Sequence, residues 1–99
     1  MENMMNKKVI VRGDRSGVYY GTLTEKNGRE VVPKNCRNIW WWEGAASVLQ
    51  IAVDGVTNPT DSKFTVIVDE LELLDAIVII PCTDKAIECI EGVEEWKIV

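Results

Sequence analysis

The hydrophobic pattern of the first third of the chain predicts strands and turns. Residues 8–12 form a short segment with three β-branched residues at its centre, which predicts a strand. Turn formers fill residues 13–17. Residues 18–25 then alternate between apolar and polar, and Asn27-Gly28 is a strong hairpin signal because both residues tolerate the positive φ of a type I′ turn. The return strand covers residues 29–32, and Pro33 places it at an edge, a bulge or its end. This order predicts a small bent antiparallel sheet, such as a partly closed SH3-like or Sm-like barrel, with Gly21 at the bend.

The middle of the chain combines a tryptophan-rich strand with a helix. Aromatic and β-branched residues at 37–42 predict extended backbone, in which Trp40 and Trp42 share one face and Trp41 takes the other. One face can reach the core, whereas the other needs a partner subunit, the neighbouring helix or a ligand. Residues 45–54 predict a helix with only a narrow polar stripe, so we expect it to be buried nearly all round. A small domain can hardly cover so apolar a helix within one chain. The helix therefore favours a homo-oligomer.

The last third predicts two further strands and a second helix. Residues 57–62 form a loop by composition, residues 64–68 and 71–80 are strands, and Pro81 ends the second of them. Thr83 or Asp84 caps a helix over residues 85–91, and residues 96–99 predict one last edge strand. The predicted fold class is therefore α+β, a single domain over residues 1–99 with one buried central helix and a short C-terminal helix.

Composition argues against most enzyme chemistry. At 46% hydrophobic and 27% charged residues, the 99-residue chain resembles an average globular domain, and its longest apolar run, residues 76–80, is far too short to span a bilayer. The chain has no histidine, which removes Ser-His and Cys-His nucleophile pairs. Its three cysteines form no Cys-x-x-Cys pair and are interpreted as buried, reduced thiols. We therefore expect a soluble, non-enzymatic protein without metal or cofactor.

Charge is distributed unevenly along the chain. Residues 1–42 carry eight Lys or Arg against four Asp or Glu, whereas residues 43–99 carry three against twelve, for a net charge of −5. Two solvated faces would explain this asymmetry, as would complementary surfaces in a homo-oligomer or a basic pocket for an anionic ligand. Binding to duplex DNA is disfavoured, because it needs a positive surface that displaces counterions.

The stretch 35–50 combines the side chains that a nucleotide pocket needs. Arginine binds phosphates bidentately, tryptophan stacks on bases, and small residues let an anion approach a helix N-terminus. Polar side chains nearby can bond base edges or ribose. The candidate ligand-binding residues are Asn35, Arg37, Trp40, Trp42, Ala45, Ser47 and Gln50.

Each part of this candidate site also has a simpler interpretation. Adjacent tryptophans commonly anchor a core or a subunit interface, so the run Trp40 to Trp42 is equally consistent with a subunit interface that binds no ligand. Gly-Ala-Ala at a helix start is far less specific than a Walker loop, and Glu43 beside it would repel an anion. If the tryptophans form a subunit interface, we expect any ligand to lie where the subunits meet.

The quoted residues resemble a family of small phage and prophage proteins. The resemblance rests on Val-Ile-Val-Arg at 9–12, on an Asn-x-Arg-x-x-Trp-x-Trp-x-Gly-Ala-Ala-Ser core at 35–47, and on Trp96-Lys97. It implies a phage setting and a cytoplasmic location in the host cell, but no particular chemistry. By analogy with other small phage proteins, we expect an anti-defence protein that sequesters a nucleotide-derived immune signal at a homo-oligomer interface.

Two alternative functions fit the same sequence. The acidic half would suit a protein-binding inhibitor of a host defence factor. The basic N-terminal half would suit an SH3-like or Sm-like nucleic-acid-binding module.

Overall fold

The computed structural model describes residues 4–99, so residues 1–3 of the predicted domain lie outside it. Its described part contains six strands, two α-helices and a short 3-10 helix (Pro59–Asp61). In chain order the strands and α-helices are β1 (Lys8–Gly13), β2 (Val18–Asn27), β3 (Glu30–Trp41), α1 (Val48–Asp54), β4 (Lys63–Phe64), β5 (Val68–Glu70), β6 (Ala76–Pro81) and α2 (Asp84–Gly92). The predicted α+β class is confirmed.

The strands form one bent antiparallel sheet. β2 lies between β1 and β3, and β6 pairs with the other side of β1. The long strand β3 pairs with β5 at its middle and with β4 near its end. Val31 exchanges two backbone hydrogen bonds with Leu73, of 2.9 and 2.8 Å, and the Ala76 N–H donates to the Arg29 carbonyl at 3.0 Å. These bonds bring the start of β6 back to the β2–β3 hairpin, so the predicted partly closed sheet is confirmed.

Alternation along the strands divides the core into two clusters on opposite faces of the sheet. Ile10 of β1 packs with both helices, whereas its neighbours Val9 and Val11 pack in the second cluster with Leu73. Gly21 lies at a register shift between β2 and β3, and a Cβ there would lie 2.9 Å from the Lys34 carbonyl oxygen. The bend predicted at Gly21 therefore depends on a close approach of two backbones.

The hairpin and Pro33 differ in detail from the prediction. Asn27 pairs with Glu30, so the two-residue loop is Gly28-Arg29 and only Gly28 has positive φ, 62°. That pattern belongs to a type II′ turn and not to the predicted type I′ turn on Asn27-Gly28. Pro33 lies inside β3, beside a second register shift, so of the three predicted alternatives the bulge is correct.

Helix α1 is shorter and less buried than predicted. It begins at Val48, because Ser47 has extended backbone and caps it, and Gly55 follows its end as predicted. Ile51 and Ala52 are buried, but Leu49 is 63% exposed, so the expectation of burial on nearly all sides is wrong for this chain alone. A helix of two turns on an open sheet has only one face against the core.

The strands after α1 are shorter than predicted. The predicted strand 64–68 is divided between β4 and β5, and the predicted strand 71–80 is ordered as a strand only in β6. Thr83 caps α2, as one of the two predicted alternatives. The predicted edge strand over residues 96–99 is wrong: in its place a single parallel bridge joins Phe64 to Glu95.

Candidate functional site

The three consecutive tryptophans occupy different environments. β3 ends at Trp41, so Trp42 lies outside the strand, packs beside the helix-side core and donates its indole N–H to the Ala45 carbonyl at 3.2 Å. Trp40 and Trp41 remain 56% and 50% exposed. The expectation that Trp40 and Trp42 share a strand face is wrong, because the strand stops before the second of them.

Trp40 belongs to an aromatic cluster that we call the tryptophan surface, formed by Trp40, Lys63 and Trp96. The two indole rings stack with centroids 4.8 Å apart and planes 23° from parallel. The Lys63 Nζ lies 5.6 Å from the Trp40 ring centroid and 5.5 Å from that of Trp96. Trp96 is 46% exposed, so the stack presents aromatic area and a cation to solvent together.

The backbone explains how these distant residues meet. Lys63 pairs with Trp41 across the β3–β4 ladder, and the Trp96 N–H donates to the Phe64 carbonyl at 2.8 Å. The C-terminal segment therefore runs beside β4, which itself lies beside the end of β3. Neither Lys63 nor Trp96 was among the predicted ligand-binding residues, since only long-range pairing brings them to Trp40; the sequence signal for Trp96 is an isolated tryptophan in a polar tail.

Arg37 lies in the interior, only 2% exposed. Its Nε donates to the Thr65 carbonyl at 3.1 Å and its Nη2 to the Phe64 carbonyl at 3.2 Å. Its Nη1 donates to the carbonyls of Ile90 and Val93 at 3.1 and 2.9 Å, at the C-terminal end of α2. Burial lowers the pKa of Arg37, but four carbonyls and the negative end of a helix dipole stabilise its charge.

The predicted residues around the start of α1 serve the helix itself. The Ser47 hydroxyl accepts from the Gln50 N–H at 3.2 Å, and the Gln50 side chain accepts from the Ala46 N–H at 2.7 Å. The Ala45 carbonyl accepts the Trp42 indole N–H. Two N–H groups that could have met an anion are thus already bonded within the chain.

Asn35 and Arg37 line a cavity of about 400 Å³ with the side chains of Lys8, Tyr20, Thr22, Ile67 and Glu91, which we call the polar cavity. At its edge the Glu91 carboxylate accepts from the Lys8 Nζ at 2.7 Å and from the Tyr20 hydroxyl at 2.6 Å. Burial and the bond to Glu91 raise the pKa of Tyr20, so its hydroxyl remains a donor.

The Glu91 contacts predict an acid-sensitive contribution to stability. Bonds from Lys8 and Tyr20 hold the pKa of Glu91 below its ordinary value of 4.5. Because the folded-state pKa is depressed, this contribution is complete above about pH 4.5 and is lost as the pH falls through the folded-state value. Urea unfolding between about pH 7 and pH 3 should show the free energy of unfolding falling in acid, with a smaller fall in Glu91→Gln.

Other carboxylates contribute the same trend in both proteins. The pKa of Asp75 is lowered chiefly by the Arg15 N–H, and that of Glu95 chiefly by the Ile67 N–H. The difference between wild type and Glu91→Gln therefore isolates Glu91. Glu88→Gln, an exposed glutamate on the same helix, is the control and should keep the wild-type slope. If the free energy of unfolding fell equally with pH in Glu91→Gln and in wild type, the acid-sensitive contribution assigned to Glu91 would be contradicted.

The predicted residues therefore do not form one pocket. Asn35 and Arg37 lie at the polar cavity, Trp40 at the tryptophan surface, and Ala45, Ser47 and Gln50 at the start of α1. Among the described residues, no cluster of three His, Cys, Asp or Glu side chains is arranged to hold a metal ion. Burial raises the pKa of Cys36 and of Cys82 to about 12, which keeps both thiols protonated.

Neither helix in residues 4–99 has the length and apolar character that crossing a membrane requires. No curated protein and no solved structure matches the chain. A family model described as a domain of unknown function, DUF6948, matches residues 6–90, which is most of the sequence. The chain therefore belongs to the DUF6948 family.

Proposed function

We propose that this protein is a non-enzymatic binding protein that holds a nucleotide-like ligand on the tryptophan surface. The observation that carries the proposal is the half-exposed stack of Trp40 and Trp96 with the Lys63 ammonium about 5.5 Å from each ring. A base that stacks on an exposed indole gains about 1–3 kcal/mol, and an ammonium beside the ring is placed to meet a phosphate.

The proposed biological role is sequestration of a nucleotide-derived immune signal by a phage anti-defence protein. This setting comes from the resemblance to phage proteins, and it needs a tight stoichiometric complex without turnover. A homo-oligomer is part of the proposal, since a second copy would cover Trp41 and the exposed side of α1 that this chain leaves in solvent.

Mass spectrometry of the denatured and filtered protein tests the proposal directly, because a sequestered nucleotide should be released. Titration with a panel of cyclic nucleotides should also change tryptophan fluorescence. Trp96→Ala should weaken binding about 10-fold or more, as expected for the loss of one stacking ring. Leu74→Ala removes an exposed apolar side chain far from the stack and should change the affinity less than about threefold.

Two results would sink the nucleotide proposal. One is that the protein releases no nucleotide and that no cyclic nucleotide of the panel changes its tryptophan fluorescence or its melting temperature. The other is equal weakening of binding by Trp96→Ala and Leu74→Ala, which would show that binding does not depend on the stack.

A protein-binding inhibitor is the second candidate, favoured by the position of Trp96 directly after Glu94 and Glu95. Half-exposed tryptophans are common hot spots of protein interfaces, and adjacent carboxylates suit a basic partner surface. Pull-down from host lysate with wild type, compared with a variant in which Glu91, Glu94 and Glu95 are changed to Gln, tests this function. If that variant lost one defined partner protein while its nucleotide affinity stayed unchanged, the result would favour the function of a protein-binding inhibitor.

A further inference from the structure

The polar cavity has a buried polar floor and an open rim. Its floor is formed by Arg37 and Tyr20, which are 2% and 3% exposed, and Lys8, Asn35 and Glu91 lie exposed at its rim. A volume of about 400 Å³ lies within the range of small-molecule sites. The cavity is separate from the tryptophan surface, with which it shares no residue.

The charges that line the cavity favour an anion. Lys8 and Arg37 carry two positive charges against the single carboxylate of Glu91, which gives the lining a net charge of +1 in a chain of net charge −5. One Glu91 oxygen accepts from both Lys8 and Tyr20, so Lys8 and Glu91 form an ion pair and the net positive charge of the lining is that of Arg37. Outside the lining, the Glu95 carboxylate accepts from the Ile67 N–H at 2.7 Å and partly offsets the lowering of the pKa of Arg37 that burial causes. Within the lining itself, a phosphate would meet more positive charge than negative.

Lys8 and Arg37 also leave hydrogen-bond donors in the lining unused. The Lys8 ammonium has three N–H groups and donates one to Glu91, and Arg37 has five and donates four to backbone carbonyls. The Thr22 hydroxyl and the Asn35 amide add further donors to the lining. Together these donors suit a group with several acceptor oxygens.

Asn35 supplies an independent sign of a functional position. Its φ of 49° is left-handed although it lies within β3, where the β2–β3 register shifts opposite Gly21. Bulges re-aim side chains, and asparagine is one of the few residues other than glycine that adopt this conformation readily. At Asn35 the bulged backbone carries a carboxamide that lines the cavity.

We propose that the polar cavity binds the phosphate group of a small molecule, with Lys8 and Asn35 as its ligand-binding residues at the rim. The same chemistry would accept free inorganic phosphate or a phosphate monoester with hydroxyl groups. This site is independent of the proposed function of the tryptophan surface.

Titration of the full chain with inorganic phosphate and with ribose 5-phosphate tests the site. Amide NMR should show saturable shifts at the Asn35 side chain, and calorimetry gives the affinity. Tighter binding of ribose 5-phosphate would identify a phosphate monoester as the ligand, whereas equal affinity would identify free phosphate. Lys8→Gln should weaken binding at least 10-fold, and the matched control Lys7→Gln, which changes the net charge equally beside the cavity, should change it less than twofold.

Asn35→Gly separates binding from folding. Glycine accepts the left-handed backbone without strain, so the melting temperature should stay the same or rise. The affinity for the phosphate probe should nevertheless fall at least threefold, because the carboxamide is gone. A merely structural asparagine would leave the affinity unchanged.

Three results would overturn the phosphate site. They are no saturable shift with either probe, equal affinities of Lys7→Gln and Lys8→Gln, and an unchanged affinity in Asn35→Gly. Trp96→Ala should bind phosphate as wild type does, so failure of the tryptophan surface and failure of the polar cavity are distinguishable.

Discussion

Replacing Arg37 by methionine should destabilise the fold by about 3–5 kcal/mol, a cost in the range measured when one partner of a buried charged network is removed. Methionine occupies the space of the aliphatic part of the arginine side chain but has no hydrogen-bond donors. Four backbone carbonyls then lose the donors they have now, those of Phe64, Thr65, Ile90 and Val93. Urea denaturation should show a lower midpoint with a similar slope. The loss should exceed that of any exposed arginine.

The controls separate the guanidinium fork from charge alone. Arg12→Met removes an exposed arginine and should change the free energy of unfolding by less than about 0.5 kcal/mol. Arg37→Lys keeps the charge, but an ammonium has three donors and no planar fork, so it should recover only part of the loss. A midpoint for Arg37→Met equal to that of Arg12→Met would refute the role assigned to these bonds.

The hydrogen bonds of Arg37 also help to hold the tryptophan surface in place. The guanidinium ties the end of α2 to the Phe64–Thr65 backbone, and the Phe64 carbonyl also accepts the Trp96 N–H. Loss of Arg37 should therefore loosen the segment that carries Trp96. An effect of Arg37→Met on ligand binding would be indirect, and it would accompany the loss of stability.

The sheet could be predicted from sequence because its signals are local. β1, the hairpin and the bend at Gly21 follow from β-branched runs and turn residues a few positions apart. The hairpin turn was nevertheless displaced by one residue, because Gly28 needs the positive φ while Asn27 still pairs with Glu30. Local chemistry therefore identifies a turn more reliably than it fixes the register.

The candidate site was less predictable because its geometry depends on distant pairing. Arginine and tryptophan at 37 and 40 look like partners in sequence, yet an odd spacing within a strand places them on opposite faces. Trp40 instead meets Trp96 and Lys63, which only the β3–β4 ladder and the C-terminal segment bring near. Nothing in the spacing of 40, 63 and 96 shows that contact.

Gly44→Ala should cost about 3 kcal/mol or more, the second largest loss expected. Gly44 has a φ of 92°, and a Cβ there would lie 2.7 Å from the Thr57 N and 2.8 Å from the Asn58 N. Those atoms cannot move away easily, because the Thr57 N–H bonds the Gly44 carbonyl at 3.1 Å and the Asn58 N–H bonds the Glu43 carbonyl at 3.3 Å. Backbone strain and overlap therefore add at one position.

Gly28→Ala is the matched control, because Gly28 also has positive φ, 62°, but has no atom within 4 Å of the added Cβ. It should cost only the penalty of its positive φ, about 1–3 kcal/mol, so the excess loss in Gly44→Ala measures the overlap. Urea denaturation gives both values, and equal losses would contradict the packing argument. The small residue after the tryptophans then has a clear physical use: it lets two backbone segments meet and so holds the chain between β3 and α1 against residues 57–58.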